Sequence, residues 1–230
     1  MRSSSAAFKL ACEFIGSRMA IAWQIETPET ALVHIKQEHW AGKFIQHSLS
    51  APALGSKKLD SIIDITPSTY DKVAQTATIL RQLLKIALFD FWIANEDRNA
   101  NNANLLYDVV RNRLVSIDYG CILNTATFDY QISQLTSTDT ILWSDLFQHL
   151  TKGKSRQIIE SIANDLKDTY YACIKRSERQ RDKIIAEFPV EWNIPSSYIN
   201  EKLEQLFEEQ WITETWNNYI DCLNENLEDE

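Results

Sequence analysis

The sequence has few glycines, and none of them could form a phosphate-binding loop. Its 5 glycines stand at positions 16, 42, 55, 120 and 153, and no two are close together. Loops such as GxGxxG and the P-loop need clustered glycines, because their backbone must approach the phosphates closely. These loops are therefore excluded from within this chain.

Metal-binding and nucleophilic signatures are also missing. Three of the four histidines lie close together, but at intervals of five and eight residues that suit no ligand pair on a helix. There is no CxxC, GxSxG or papain-like cysteine context. The four cysteines are far apart and are interpreted as small buried hydrophobes: Cys12, Cys121, Cys173 and Cys222.

Long hydrophobic runs and excess basic charge are absent as well. No apolar run approaches the ~20 residues that span a bilayer, and the amino terminus has too short an apolar stretch for a signal peptide. The net charge of -9 argues against a broad nucleic-acid surface. Apolar residues at 44% and charged residues at 24% are typical of globular proteins. We expect a cytoplasmic protein that binds neither membrane nor nucleic acid directly.

The hydrophobic pattern predicts a mainly helical α+β protein. Apolar residues recur at helical spacing over five segments: 8–22, 69–94 with Ser68 as cap, 141–150, 155–174 and 198–227. A strand is predicted at 31–35, a loop at 50–56, and a hairpin at 105–107 and 114–117 before a turn at 118–120. We expect a smaller amino-terminal part at 1–66 and a helical lobe at 67–230.

The stretch after the second predicted helix carries the pattern most specific for chemistry. Asp97 and Asn102 are five residues apart in an asparagine-rich loop, and Asp118 follows the predicted hairpin, 21 residues after Asp97. Protein kinases place an Asp, an Asn five residues later and an Asp beyond a hairpin in this order. The first carboxylate lies near the attacking hydroxyl, and hard Asn and Asp oxygens suit the Mg²⁺ that binds the phosphates.

Each of these residues also has an ordinary structural interpretation. Asparagine-rich loops commonly follow helices, Asp97 and Arg98 could form a surface ion pair, and Asp118 could cap a turn. Spacing, order and local context agree at all three positions, however. The combination therefore favours a kinase-like carboxy-terminal lobe.

The segment from Trp92 to Gly120 resembles the HipA-like kinases. It is most similar to a HipA-related subfamily with the loop N-x-D-R-x-x-x-N-x-N-L-L followed by I-D-x-G. The likeness extends over nearly the whole chain, but only this central motif is specific. The matching residues are Asn95, Asp97, Arg98, Asn102, Asn104, Leu105, Leu106, Ile117, Asp118 and Gly120.

The resemblance implies a protein-kinase-like carboxy lobe with a reduced amino-lobe remnant. It implies ATP and Mg²⁺ as cofactors and transfer of phosphate to a protein Ser or Thr. Asp97 would be the catalytic base, while Asn102 and Asp118 would bind the metal and the nucleotide. Glu13 would be the helix glutamate that pairs with the ATP-binding lysine.

The sequence departs from the family at its amino terminus. Twelve residues precede Glu13, too few for the glycine-rich strands and the lysine strand. Two functions stay open: a HipA-like kinase or its catalytic-lobe portion, and a degenerate kinase fold, a pseudokinase, acting as a protein-binding module. The module would use the acidic segment 196–230, otherwise a solvated face, or the amino-lobe surface. We expect a partner chain, such as a toxin–antitoxin partner, or a second copy to cover residues 8–35.

Overall fold

The computed structural model describes residues 5–40, 51–125 and 131–227. It is 58% helical with small antiparallel sheets, which confirms the predicted mainly helical α+β class. The α-helices are α1 (Ser5–Ala22), α2 (Ala77–Ile93), α3 (Ile122–Thr125), α4 (Asp145–Thr151), α5 (Arg156–Asn164), α6 (Lys167–Ala186), α7 (Ser196–Gln205) and α8 (Glu209–Asn226). The strands are β1 (Thr30–Val33), β2 (Ala53–Ser56), β3 (Ile62–Asp64), β4 (Leu105–Asp108) and β5 (Arg113–Ser116). Short 3₁₀ helices occupy Gln37–Trp40, Pro67–Lys72, Ser137–Asp139, Ile141–Trp143 and Val190–Trp192.

Two sheets of different size contain these strands. β1 pairs with β2, and β3, β4 and β5 form a three-stranded antiparallel sheet in that order. The predicted hairpin is confirmed as β4 and β5. The predicted loop at 50–56 is wrong where β2 pairs Leu54 with Leu32. β3 was not predicted, because three residues are too few to show the two-residue period of a strand.

The helix predicted at 69–94 is interrupted. Pro67–Lys72 forms a 3₁₀ helix, Val73 is extended and buried, and α2 begins only at Ala77. The hydroxyl of Thr76 caps α2 by accepting from the Ile79 N–H at 3.2 Å. The predicted Ser68 cap is therefore wrong, because the buried, extended Val73 separates residue 68 from the helix.

Two further predicted helices are each two helices. The segment 155–174 breaks between α5 and α6, and α6 continues to Ala186. The segment 198–227 breaks between α7 and α8, where buried Leu206 offers its carbonyl oxygen to the Trp92 indole N–H at 2.9 Å. The hydrophobic period continues through these breaks, because the helices on both sides bury apolar residues in one core.

α1 packs against α6 and α3, so its apolar side is buried within this chain. Its fully buried residues are Ala11, Cys12, Phe14, Ile15, Met19 and Ala20. The expected partner or second copy over residues 8–35 stays a prediction, and it would meet β1 rather than this side of α1. The boundary at residue 66 also stays a prediction. One apolar cluster contains residues from both sides of it.

No helix in the described part of the chain is long and apolar enough to cross a membrane.

Gly16 allows α1 to approach the turn that follows β5. A Cβ atom at this position would lie 2.3 Å from the Cβ of Tyr119, closer than two carbon atoms can approach. We expect Gly16→Ala to lower the free energy of unfolding by roughly 1–2 kcal/mol, because overpacking outweighs the ~1 kcal/mol that alanine gains over glycine in a helix. Urea denaturation measures this change.

The control is Ala172→Gly on the exposed side of α6, where exchange of alanine and glycine involves no close contact. There the alanine form should be the more stable by about 1 kcal/mol. A Gly16→Ala protein as stable as the parent would contradict the close approach of α1 to Tyr119.

Candidate active site

The asparagine-rich loop begins where α2 ends in a left-handed residue. Ala94 has φ of 52°, and the Asn95 N–H donates to the Asp90 carbonyl oxygen at 3.0 Å. The backbone N–H of Asn124 donates to the Ala94 carbonyl oxygen at 3.1 Å. The peptide groups of Ala94 and Asn95 are therefore both hydrogen-bonded, and they set the direction in which the loop leaves α2.

Asp97 is held in that loop by two asparagine side chains. Nδ2 of Asn102 and Nδ2 of Asn104 donate to the Asp97 Oδ2 atom at 3.1 and 3.0 Å. A pair of backbone hydrogen bonds between Asn99 and Asn102 closes the loop. Within the described residues no hydrogen bond reaches Asp97 Oδ1. The structure thus brings Asp97 and Asn102 together and leaves one carboxylate oxygen of Asp97 as an open acceptor.

Asp118 lies in a turn beside this loop. Its φ is 58°, a left-handed conformation that aspartate adopts more readily than most residues, and its Oδ1 accepts from the Gly120 N–H at 3.2 Å. The Ile117 N–H donates to the Asn104 carbonyl oxygen at 3.1 Å, which joins the turn to the loop. Burial raises the pKa of the Cys121 thiol, and the charges of Asp97 and Asp118 raise it further. The Lys9 charge lowers the pKa of the same thiol.

A buried ion pair connects the loop, the turn and α2. The Arg98 guanidinium donates to the Asp90 carboxylate of α2, and both side chains are fully buried. Arg98 also donates to the Ile117 carbonyl oxygen at 2.9 Å and lies 5.4 Å from the centre of the Tyr119 ring. Asn95 donates to Asp90 at 2.9 Å. Asn95 and Arg98, which lie two residues before and one residue after Asp97, thus both bind the Asp90 carboxylate, and Arg98 also holds the carbonyl group of the residue before Asp118.

Burial raises the pKa of Asp90, while the Arg98 charge and the hydrogen bonds from Arg98 and Asn95 act in the opposite direction. Two polar atoms of the pair, Asp90 Oδ2 and Arg98 Nε, have no hydrogen-bond partner. A buried ion pair with unsatisfied atoms contributes little net stability, but removing one partner lowers the free energy of unfolding strongly. Its contribution is to position the loop and the turn.

Glu13 reaches the same turn from α1. Its carboxylate accepts from the Tyr119 backbone N–H. Burial raises the pKa of Glu13, the Tyr119 hydrogen bond lowers it, and the Asp118 charge raises it. In the part of the chain that is described, Glu13 forms no ion pair with a lysine or arginine. Glu13 therefore holds the backbone next to Asp118, and its expected contact with a nucleotide-binding lysine stays a prediction.

Two residues of this arrangement were missed in the sequence. Asp90 is the only acidic residue in α2 and stands within an apolar run, which is a signal that a buried partner exists. Nothing in the sequence identifies Arg98 as that partner. Tyr119 has no signal of its own, since its packing against Gly16 and Arg98 depends on the fold.

The residues present fit Mg²⁺ better than a transition metal. The described residues contain no group of three or more His, Cys, Asp or Glu side chains that could hold a metal ion. Asn102 and Asp118 are both exposed and offer hard oxygen atoms. Mg²⁺ commonly binds one or two carboxylates and takes its remaining ligands from water and substrate phosphates. One carboxylate and one amide oxygen suit that mode of binding.

A family model described as HipA-like kinase matches residues 2–220. The match includes α1, the asparagine-rich loop, the Asp118 turn and most of α8. No curated protein and no solved structure matches the chain.

The buried pair should show strong energetic coupling. We expect Arg98→Met to lower the free energy of unfolding by about 3–5 kcal/mol, because it leaves the Asp90 charge buried without its partner. Asp90→Leu combined with Arg98→Met should cost clearly less than the two single changes added together. Urea denaturation of the four proteins in this cycle measures the coupling. Additivity within about 0.5 kcal/mol would contradict the pair.

Proposed function

We propose that this chain, which belongs to the HipA-like kinase family, transfers the γ-phosphoryl group of ATP to a serine or threonine hydroxyl of a protein. The observation that carries the proposal is the placement of Asp97 beside Asn102, with the loop hydrogen-bonded to the Asp118 turn. Phosphoryl transfer depends chiefly on positioning and on electrostatic stabilisation. The fixed loop supports the first, and Mg²⁺ held by Asn102 and Asp118 would supply the second.

Asp97 is suited to act on the attacking hydroxyl. The side-chain amides of Asn102 and Asn104 donate to its Oδ2 atom and restrict rotation of the carboxylate. The direction of the second oxygen, Oδ1, is thereby fixed as well. As the hydroxyl oxygen bonds to the γ-phosphorus, its proton passes to Asp97. The bond from the γ-phosphorus to the bridging oxygen breaks, and ADP leaves with that electron pair.

Asn102 and Asp118 would hold Mg²⁺, which supplies charge neutralisation on the phosphates when it is bound. The contribution of the chain is to keep these two oxygen donors in place. The Asn99–Asn102 backbone bridge does this for Asn102, and the Gly120 and Tyr119 amides do it for the Asp118 turn.

A specific observation favours a second function. Glu13 is engaged by the Tyr119 amide and not by a lysine in the described residues. A kinase fold with this contact could bind nucleotide without transferring phosphate and act as a protein-binding module. Its partner, or a second copy of this chain, would then cover residues 8–35 or the acidic segment 196–230.

Nucleotide binding should depend on the Asp118 charge. A saturating ligand at 100 times its Kd stabilises a protein by about 2.7 kcal/mol, which for this size raises Tm by about 5–10 °C. We expect Mg²⁺ and ATP together to give such a rise for the parent, and Asp118→Asn to abolish it while the ligand-free Tm changes little. Asparagine is the appropriate replacement, because it also accepts the left-handed backbone at this position.

Asp60→Asn is the control for this experiment, because Asp60 is an exposed aspartate before β3. It should keep the full rise in Tm. If Asp118→Asn is stabilised by Mg²⁺ and ATP as strongly as the parent, the metal role of Asp118 is wrong.

Replacing Asp97 should impair phosphate transfer and leave nucleotide binding unchanged. Asp97→Asn retains an oxygen that accepts from Asn102 and Asn104, so the loop should stay closed, but it removes the base. We expect phosphate transfer to fall by about 10²–10⁴-fold, with an unchanged rise in Tm on adding Mg²⁺ and ATP. Transfer is measured with radiolabelled ATP and a peptide mixture. A parent protein that binds Mg²⁺ and ATP but transfers no phosphate would favour the binding module.

A further inference from the structure

A cavity of about 540 Å³ lies between the carboxy-terminal half of α1 and α6. None of its residues belongs to the asparagine-rich loop or the Asp118 turn. Cavities of roughly 300–1,000 Å³ are the size that binds small molecules. Its lining includes Arg18, Ile21, Arg176, Arg179, Lys183, Ile184 and Glu187.

The charge of this cavity is opposite to that of the protein. Four cationic side chains and one carboxylate line it, whereas the whole chain carries -9. The one carboxylate, Glu187, is shared by Arg18 at 3.6 Å and Lys183 at 3.9 Å. Arg179 has no ion-pair partner among the described residues. The cavity therefore holds an excess of positive charge that this part of the chain does not neutralise.

One of the four cations has a structural role. Arg176 donates from Nε to the Ala22 carbonyl oxygen at 2.8 Å, which satisfies the carboxy-terminal end of α1. Arg18 lies 5.1 Å from the centre of the Phe14 ring, and its Nη2 atom faces the cavity residue Glu187 at 3.6 Å. An anion in the cavity would offset the excess charge.

We propose that this cavity binds a small organic molecule that carries a phosphate group. Guanidinium groups bind phosphate through paired N–H donors, and Arg18, Arg179 and Lys183 would hold the phosphate. The apolar part of the ligand would lie against Ile21, which is 48% exposed, and against Ile184. This inference is independent of the kinase activity, since it uses no residue of the candidate active site.

The test is isothermal titration calorimetry with phenyl phosphate and with inorganic phosphate. Excess EDTA keeps Mg²⁺ from supporting nucleotide-type binding at the candidate active site. We expect the parent to bind phenyl phosphate more tightly than inorganic phosphate, because only the former covers the isoleucines. Arg179→Gln combined with Lys183→Gln should weaken phenyl phosphate binding at least tenfold. Both side chains are exposed, and an unchanged Tm checks that the protein still folds.

Two further variants separate a site from general charge attraction. Glu187→Gln removes the carboxylate that competes for Arg18 and Lys183, so it should tighten binding several-fold. Lys175→Gln removes an exposed cation of α6 outside the cavity and should leave the affinity within twofold. The proposal is overturned if the parent binds neither probe, if the double variant binds as well as the parent, or if Lys175→Gln weakens binding equally.

Discussion

The buried contact between Asp90 and Arg98 is the constraint on which the candidate active site depends. A charged pair in the core is costly unless each charge has its partner, so the Arg98 guanidinium has one acceptable position, against α2. From that position it also reaches the Ile117 carbonyl oxygen and the face of Tyr119. Asp97 directly precedes Arg98, and Asp118 directly follows Ile117. The half-buried Asp97 and the exposed Asp118 are therefore placed by the side chain and backbone of their neighbours, and Asp97 keeps one open oxygen.

The amino-terminal helix completes this arrangement from the opposite side. Glu13 accepts from the Tyr119 amide, and Gly16 lets α1 lie directly on the Tyr119 side chain. A shift of α1 would remove one hydrogen bond and open a gap beside the same residue. The conformation of the Asp118 turn is thus coupled to the position of α1.

The parts of the site that could be predicted from the sequence are those set by local spacing. Asp97, Asn102 and the hairpin before Asp118 lie within one short stretch, where turn-forming asparagines and strand-forming residues are adjacent. The partners across the core could not be predicted in this way. Asp90 and Arg98, or Glu13 and Tyr119, are joined only after the helices pack. The predicted Ser68 cap and the uninterrupted helix at 198–227 were wrong for the same reason, since burial of Val73 and Leu206 outweighed a helical pattern that continued through them.

The same reasoning separates structural cations from cations available to a ligand. Arg98 is matched by one carboxylate in the core, and Arg176 is matched by the carbonyl end of α1. Arg18 and Lys183 share a single carboxylate, and Arg179 has none in the described residues. With a net charge of -9, the chain has more carboxylates than cationic side chains. The shortage of carboxylates around this cavity is therefore a local feature and does not follow from the composition. Such a cavity is explained if an anion from outside the chain supplies the missing charge.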